Sequence, residues 1–146
     1  MHSLIDETYM QCALDLAWAQ KGQTGDNPSV GCILIKDGNI IGQGVTAKGG
    51  RPHGETQALH HAGENAKGAT CYVTLEPCSH YGGTPPCADV LIRAGIARCV
   101  IAVIDPNPNV NWQGAARLQE AGIDTVIGCL ASEAFELYQS FFARFS

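Results

Sequence analysis

Residues 69–104 read ATCYVTLEPCSHYGGTPPCADVLIRAGIARCVIAVI, in which two apolar runs flank a segment with helical spacing. The runs at 69–75 and 99–104 are typical of buried strands, and the segment 86–94 is typical of a helix. A strand, a helix and a second strand in this order predict a βαβ crossover, whose two strands run parallel in one sheet.

The residues on either side of this unit continue the alternation of strands and helices. Asp37-Gly38 stands between two apolar runs and indicates a hairpin. The sequence therefore predicts an α/β fold, a three-layer α/β/α sandwich around a mixed, largely parallel five-stranded sheet. The further elements are expected as a helix over 5–19, strands over 30–35 and 40–45, a helix over 55–66, a helix over 114–121, a strand over 124–127 and a helix over 132–145.

The composition is that of one compact domain. The chain has 146 residues, of which 45% are hydrophobic and 16% charged, and this balance excludes a disordered polyelectrolyte or a coiled coil. No apolar run approaches the roughly 18 residues of a membrane span, and the start has no secretory pattern. The formal charge of −5 argues against a broad nucleic-acid surface. We therefore expect a cytoplasmic protein with neither membrane nor nucleic acid among its partners.

Three metal-binding side chains stand at the ends of predicted elements. His53 precedes a helix, Cys78 follows the strand over 69–75, and Cys87 begins the helix over 86–94. An imidazole and two thiolates are ligands that zinc favours, and three protein ligands leave the fourth tetrahedral position for water. We therefore expect one Zn²⁺ per chain, bound by these three residues. The other five cysteines, at 12, 32, 71, 99 and 129, are expected to be small buried side chains.

Glu55 supplies a carboxylate two residues after His53. If His53 lies at or just before the first helical turn, the imidazole reaches the metal and the carboxylate stands beside the activated water as a general acid and base. His-x-Glu followed by Pro-Cys and a second Cys is the signature of zinc-dependent deaminases. An alternative of a different class is a non-catalytic, zinc-stabilised interaction module, which requires a fourth protein ligand on the metal.

Five motifs together resemble the cytidine-deaminase-like zinc hydrolases, and within them the deaminase domain of bacterial riboflavin biosynthesis. The eight residues between Cys78 and Cys87 carry this finer resemblance, because most other deaminases of this kind have two residues there. The motifs are NPSVG at 27–31, HGE at 53–55, TLEPCSH at 74–80, GTPPC at 83–87 and DPNP at 105–108.

The resemblance implies a hydrolytic deamination in riboflavin biosynthesis. The amine would be removed from 2,5-diamino-6-ribosylamino-4(3H)-pyrimidinone 5′-phosphate, giving 5-amino-6-ribosylaminouracil phosphate and ammonia, with Glu55 as the catalytic residue. The resemblance also implies four substrate contacts, Asn27, His80, Asp105 and Asn107. Their alternative role is turn formation, because Asn-Pro and Asp-Pro-Asn-Pro commonly form loops.

Three positions depart from the family pattern. Gly83 replaces a common Lys or Arg, and Thr46 replaces a common His, so recognition of the phosphoribosyl group is affected. Gly54 replaces the usual Ala and is expected to loosen the helix start without disturbing the ligands. Lys48 or Arg51 could supply the missing positive charge. A deaminase of another aminopyrimidine or purine base or nucleoside therefore remains an alternative.

The resemblance also bears on partners and domain organisation. Bacterial members of the family often continue into a reductase domain, and we expect here a single deaminase domain over 1–146 without one. Proteins of this fold generally oligomerise, so we expect a homodimer or a higher homo-oligomer. The aromatic end over 141–146 is expected to pack on the domain or on a partner subunit, because it would otherwise expose a large apolar patch.

Overall fold

The computed structural model describes residues 2–79 and 85–145, and of Phe145 it describes only the backbone. Strands and helices alternate along these residues in the order that the sequence predicts. The elements are α1 (Leu4–Gln20), β1 (Gly31–Lys36), β2 (Asn39–Val45), α2 (Gly54–Ala62), β3 (Thr70–Val73), α3 (Cys87–Ala94), β4 (Arg98–Ile101), α4 (Gln113–Glu120), β5 (Asp124–Ile127) and α5 (Ala131–Phe142), with 3₁₀ turns at Gly63–Ala66 and Ala143–Phe145.

The sheet is mixed, with the strand order β2-β1-β3-β4-β5. β1 pairs antiparallel with both β2 and β3, whereas β3, β4 and β5 pair in parallel. Four strands therefore run in one direction and only β1 runs against them. The expected hairpin and the βαβ unit over 69–104 are both confirmed.

Close contacts at glycines place helices on both faces of the sheet. A side chain at Gly31 in β1 would collide with the Ala13 carbonyl of α1, and one at Gly42 in β2 would collide with the Ala58 carbonyl of α2. Gly42 is paired with Leu34, which lies on the opposite face of β1 from Gly31. α5 packs beside α1, and α3 packs between α2 and α4. The predicted three-layer α/β/α sandwich is thereby confirmed.

One predicted helix and two predicted strands form shorter regular elements than the sequence pattern indicates. The helix expected over 55–66 ends at Ala62, because Gly63 takes a positive φ of 58° and the chain turns there. The strands expected over 69–75 and 99–104 are paired over Thr70–Val73 and Arg98–Ile101. The residues that follow these two strands form loops at the carboxyl edge of the parallel part of the sheet, where ligand sites of such sheets lie.

The core occupies both spaces between sheet and helices. Cys32, Cys71, Cys99 and Cys129 are fully buried in it, as expected, whereas Cys12 is half-buried. At the aromatic end of the chain, Phe142 is buried against α5 itself and the core, so this part of the end packs on the domain. None of the helices described here is long and apolar enough to cross a membrane.

Candidate active site

Three element ends meet beside the carboxyl edge of β3. His53 is the N-cap of α2, with an extended backbone, and Cys87 is the first residue of α3. Cys78 lies in the loop that follows β3. The ligand atoms of these three residues all lie within 4.8 Å of one another, and His53 Nδ1 is 3.3 Å from Cys87 Sγ. The structure therefore brings the three predicted ligands together, although they are up to 34 residues apart in the chain.

This group of donor atoms fits a zinc ion. One imidazole nitrogen and two thiol sulfurs converge at a partly buried point, which is the donor set of a zinc site with three protein ligands. Within residues 2–79 and 85–145, no fourth His, Cys, Asp or Glu side chain joins the group at this spacing. Among the side chains that the structure describes, the donor set is therefore that of a site with three protein ligands.

Hydrogen bonds to Cys78 favour its thiolate form. The Cys87 thiol and the Cys87 backbone N–H both donate to Cys78 Sγ, the latter over 3.2 Å, and they lower the pKa of Cys78 to about 4. Donation to Cys78 and burial together raise the pKa of Cys87. The N-terminus of α3 thus donates a backbone N–H to the sulfur of the neighbouring predicted ligand and favours its thiolate form.

Glu55 is buried in the first turn of α2, with only 4% of its surface exposed. Burial raises the pKa of this carboxyl group to about 7. A carboxyl group with a pKa near neutrality can both accept and return a proton, which is what a general acid and base requires.

A cleft opens over the metal-binding group, and its wall includes most of the predicted substrate contacts. His53, Glu55 and Cys78 line this cleft together with Asn27, Asp105 and Asn107. His80, the fourth predicted contact, and Gly83 are outside the described residues. Three loops that are far apart in the sequence therefore line one cleft.

Residues 4–103 match the family described as the cytidine and deoxycytidylate deaminase zinc-binding region. The chain belongs to this deaminase family. The fold and the convergent His and Cys side chains agree with that membership.

Riboflavin biosynthesis proteins and a pyrimidine deaminase resemble the chain over most of its length. It is 55% identical to riboflavin biosynthesis protein RibD of Escherichia coli over 139 residues, which are 95% of this chain and 38% of that protein. It is 42% identical to the diaminohydroxyphosphoribosylamino-pyrimidine deaminase of Buchnera aphidicola, over 95% of both chains. The structure of Acinetobacter baumannii RibD superposes with a TM-score of 0.93 at 48% identity, covering 97% of this chain and 40% of that one. The chain thus spans about two fifths of the length of the RibD proteins it matches.

Glu76 organises the deaminase cleft, a role that the sequence analysis did not assign. Its buried carboxylate accepts three backbone N–H groups, from Asp105 at 3.3 Å, Trp112 at 3.1 Å and Ala115 at 3.0 Å. The carboxylate therefore ties the loop after β4, and the start of α4, to the loop that carries Cys78. The signal in the sequence was a carboxylate directly before Pro-Cys, at the end of a buried strand.

Asp105 and Asn107 also form the turns that their sequence context favours. Asp105 Oδ1 accepts the backbone N–H of Asn107 at 2.9 Å, and Asn107 Oδ1 accepts that of Asn109 at 3.0 Å. Asn27 donates from its side chain to the Gly50 carbonyl at 2.9 Å. Each of these polar side chains thus stabilises a loop and also lines the cleft of the deaminase.

Two of the departures from the family pattern have a packing role. Thr46 is buried, and its hydroxyl accepts the Val30 N–H and donates to the Pro28 carbonyl, at 2.9 and 3.0 Å. A side chain at Gly54 would come within 2.5 Å of the Val30 carbonyl oxygen and 3.1 Å of Val45 Cα. Gly54 therefore permits a tight contact between α2 and β2, which the expectation of a looser helix start did not include.

Proposed function

We propose that the chain catalyses the hydrolytic deamination of 2,5-diamino-6-ribosylamino-4(3H)-pyrimidinone 5′-phosphate, with one zinc ion per chain bound by His53, Cys78 and Cys87. The observation that carries this proposal is the convergence of those three side chains beside the buried carboxyl group of Glu55. The Buchnera aphidicola deaminase, which matches over 95% of both chains, supports the choice of substrate.

Glu55 moves the protons in the proposed reaction. When bound, zinc supplies an acidified water molecule as the nucleophile. The Glu55 carboxylate accepts a proton from that water, donates it to the ring nitrogen next to the reacting carbon, and transfers the second proton to the departing amine. One water molecule is consumed, an oxygen replaces the exocyclic amine on the ring, and ammonia leaves.

The walls of the cleft hold the substrate during this reaction. We propose that Asn27, Asp105 and Asn107 bind the pyrimidine nucleotide, because they line the cleft that contains Glu55. His80 stays a prediction from the resemblance. The single domain over 1–146 without a reductase, the homodimeric or higher assembly and the cytoplasmic location also remain predictions from the sequence.

The first test is ammonia release from the proposed substrate by the zinc-loaded protein and by Glu55→Gln. We expect turnover by the wild type, and a loss of at least about 100-fold in kcat for the variant, because proton transfer by a positioned group contributes on that order. Metal analysis should find the same zinc content in both proteins, since Glu55 is outside the ligand set.

Two results would contradict the proposal in different ways. If the wild type leaves this compound unchanged but releases ammonia from another aminopyrimidine or purine, the substrate assignment is wrong and the deaminase chemistry stands. If it releases ammonia from none of these compounds and a fourth protein ligand is found on the metal, the chain is a zinc-stabilised interaction module.

A further inference from the structure

We propose that Arg51 binds the phosphate group of the substrate and makes this deaminase prefer a nucleotide over the corresponding nucleoside. The inference rests on the proposed function, and it assigns a specificity-determining role to a residue outside the metal-binding group.

The charge distribution in the cleft singles out Arg51. The described residues of the cleft wall include three acidic side chains, Glu55, Glu76 and Asp105, and Arg51 is the one lysine or arginine among them. A phosphate monoester carries a charge of about −1.5 to −2 at neutral pH, so the acidic side chains repel it and a guanidinium group attracts it. The segment over 80–84, which is outside the described residues, reads HYGGT and has no lysine or arginine in its sequence.

Arg51 lines the same cleft as Glu55 and is accessible to a ligand there. It lies two residues before His53 in the chain, and its side chain is exposed. It borders both the cleft over the metal-binding group and a neighbouring depression lined by Pro52, Thr56 and Val90. A substrate bound beside Glu55 would therefore have Arg51 in the same cleft.

Hydrogen bonds hold the backbone on both sides of Arg51, so the position of its Cα is well defined. The Gly50 carbonyl accepts the Asn27 side-chain amide at 2.9 Å, and the Pro52 carbonyl accepts the Ala47 N–H at 3.0 Å. Both neighbours of Arg51 in the chain are thus hydrogen-bonded to other parts of the cleft wall or its loop. A fixed backbone lowers the entropic cost of holding the long side chain on a ligand.

Lys48 provides a natural comparison within the same loop. It carries the same charge and is also exposed, but it does not line the cleft. Of the two residues that could replace the missing positive charge, the geometry therefore favours Arg51. Lys48 is then the matched control for a general effect of removing one positive charge near the site.

The test compares the nucleotide with its dephosphorylated nucleoside as substrates. We expect Arg51→Ala to lower kcat/KM for the nucleotide about 10- to 100-fold, mainly through KM, as for loss of a charge-assisted hydrogen bond. For the nucleoside, kcat/KM should change less than about threefold, and Lys48→Ala should change neither substrate by more than about twofold. The thermal unfolding midpoint of each variant should stay near that of the wild type, because both side chains are exposed.

Two outcomes with the active protein would overturn the role of Arg51. An equal fall in kcat/KM for nucleotide and nucleoside would indicate that Arg51 acts on the fold of the loop. An unchanged kcat/KM for the nucleotide would indicate that the phosphate is held elsewhere.

A binding measurement separates this inference from the proposed function. If the wild type deaminates neither compound, the proposed function fails, and calorimetric titration with ribose 5-phosphate and ribose then decides the role of Arg51. Phosphate-dependent binding that is lost in Arg51→Ala and kept in Lys48→Ala would support it. Equal binding of ribose 5-phosphate by the wild type and Arg51→Ala, or no binding by the wild type, would overturn it.

Discussion

Glu76 illustrates how one buried side chain organises a site without belonging to its ligand set. Its two oxygens accept three backbone N–H groups from the loop after β4 and the start of α4. Burial raises the pKa of Glu76, and the three donated hydrogen bonds oppose that shift. The position of the Asp105 loop therefore depends on a charge that stands two residues before Cys78.

Replacing Glu76 by Gln should weaken both the fold and substrate binding. The amide cannot accept hydrogen bonds at both of its ends, so at least one backbone N–H loses its acceptor, at a cost of about 1–3 kcal/mol in the free energy of unfolding. Urea denaturation measures this loss, and KM should rise because Asp105 and Asn107 lie on the released loop. Glu120→Gln at the exposed end of α4 is the control. Equal stability of Glu76→Gln and Glu120→Gln would contradict the prediction.

Residue identities alone predicted much of the site, because its chemistry depends on rare side chains at recognisable spacings. His53, Cys78 and Cys87 are brought together as the metal hypothesis requires. The hydrogen bonds of Thr46 and the acceptor role of Glu76 were not predicted, because such bonds depend on which backbone groups the loops present in three dimensions. Arg51 and Lys48 could not be separated by sequence, since only the folded loop decides which side chain borders the cleft.

At the scale of elements, an ion pair joins the start of α1 to the sheet. Ser3 is the N-cap of α1, and its backbone N–H donates to the Asp6 carboxylate in a capping box. The Arg98 guanidinium donates two hydrogen bonds to the same carboxylate, each 2.8 Å long. The Tyr72 hydroxyl donates to the same carboxylate at 2.6 Å. These donors, chiefly Arg98, hold the pKa of Asp6 well below its usual range.

Because of the Asp6 contacts, the free energy of unfolding should decrease as the pH falls into the acid range. Because the pKa of Asp6 is lower in the folded than in the unfolded state, its stabilisation is complete above pH about 4 and is lost as the pH falls below that value. Asp6→Asn should lower the free energy of unfolding at neutral pH by about 2 kcal/mol and flatten its decline in acid. Urea denaturation across this pH range checks both effects, with Asp15→Asn on the exposed side of α1 as control. A decline in acid as steep as that of the wild type would refute the assignment.

The order and type of the elements were predictable because apolar periodicity and turn residues determine them locally. The Asp37-Gly38 hairpin and the βαβ unit over 69–104 follow from such signals. Element ends were less predictable, since they depend on tertiary pairing. The strand pattern continues to Leu75, yet the regular pairing of β3 with β4 ends at Val73 and Ile101. Beyond that point the Glu76 N–H still donates to the Val103 carbonyl at 3.0 Å.

At the scale of the whole molecule, the last helix completes the cleft. Phe141 of α5 lies on the cleft wall with Asn27 and Pro28, although 114 residues separate it from Asn27. The Arg144 guanidinium lies 5.3 Å from the centre of the Phe141 ring and donates to the Asp26 carbonyl at 3.0 Å. The sequence predicted that this aromatic end packs on the domain or on a partner subunit. Apolar composition alone does not specify which surface such residues cover.

Removal of the Arg144 side chain should therefore affect the distant cleft. Arg144→Ala loses the hydrogen bond to the loop before Asn27 and the contact with the Phe141 ring, so we expect KM to rise about 3- to 10-fold at little change in kcat. Steady-state kinetics of ammonia release provide the measurement, and Arg93→Ala on the exposed face of α3 is the control for charge. Identical KM values for Arg144→Ala and Arg93→Ala would rule out this coupling.

The close packing at Gly54 affects the positions of His53 and Glu55 in the candidate active site. Gly54, which stands between His53 and Glu55, packs against the main chain of Val30 and of Gly44 and Val45 in β2, with no room for a side chain. The His53 imidazole and the Glu55 carboxyl group thus flank the point at which α2 approaches the strands closely. A side chain added at position 54 would push the start of α2 away from this backbone, and we expect it to displace the imidazole and the carboxyl group together.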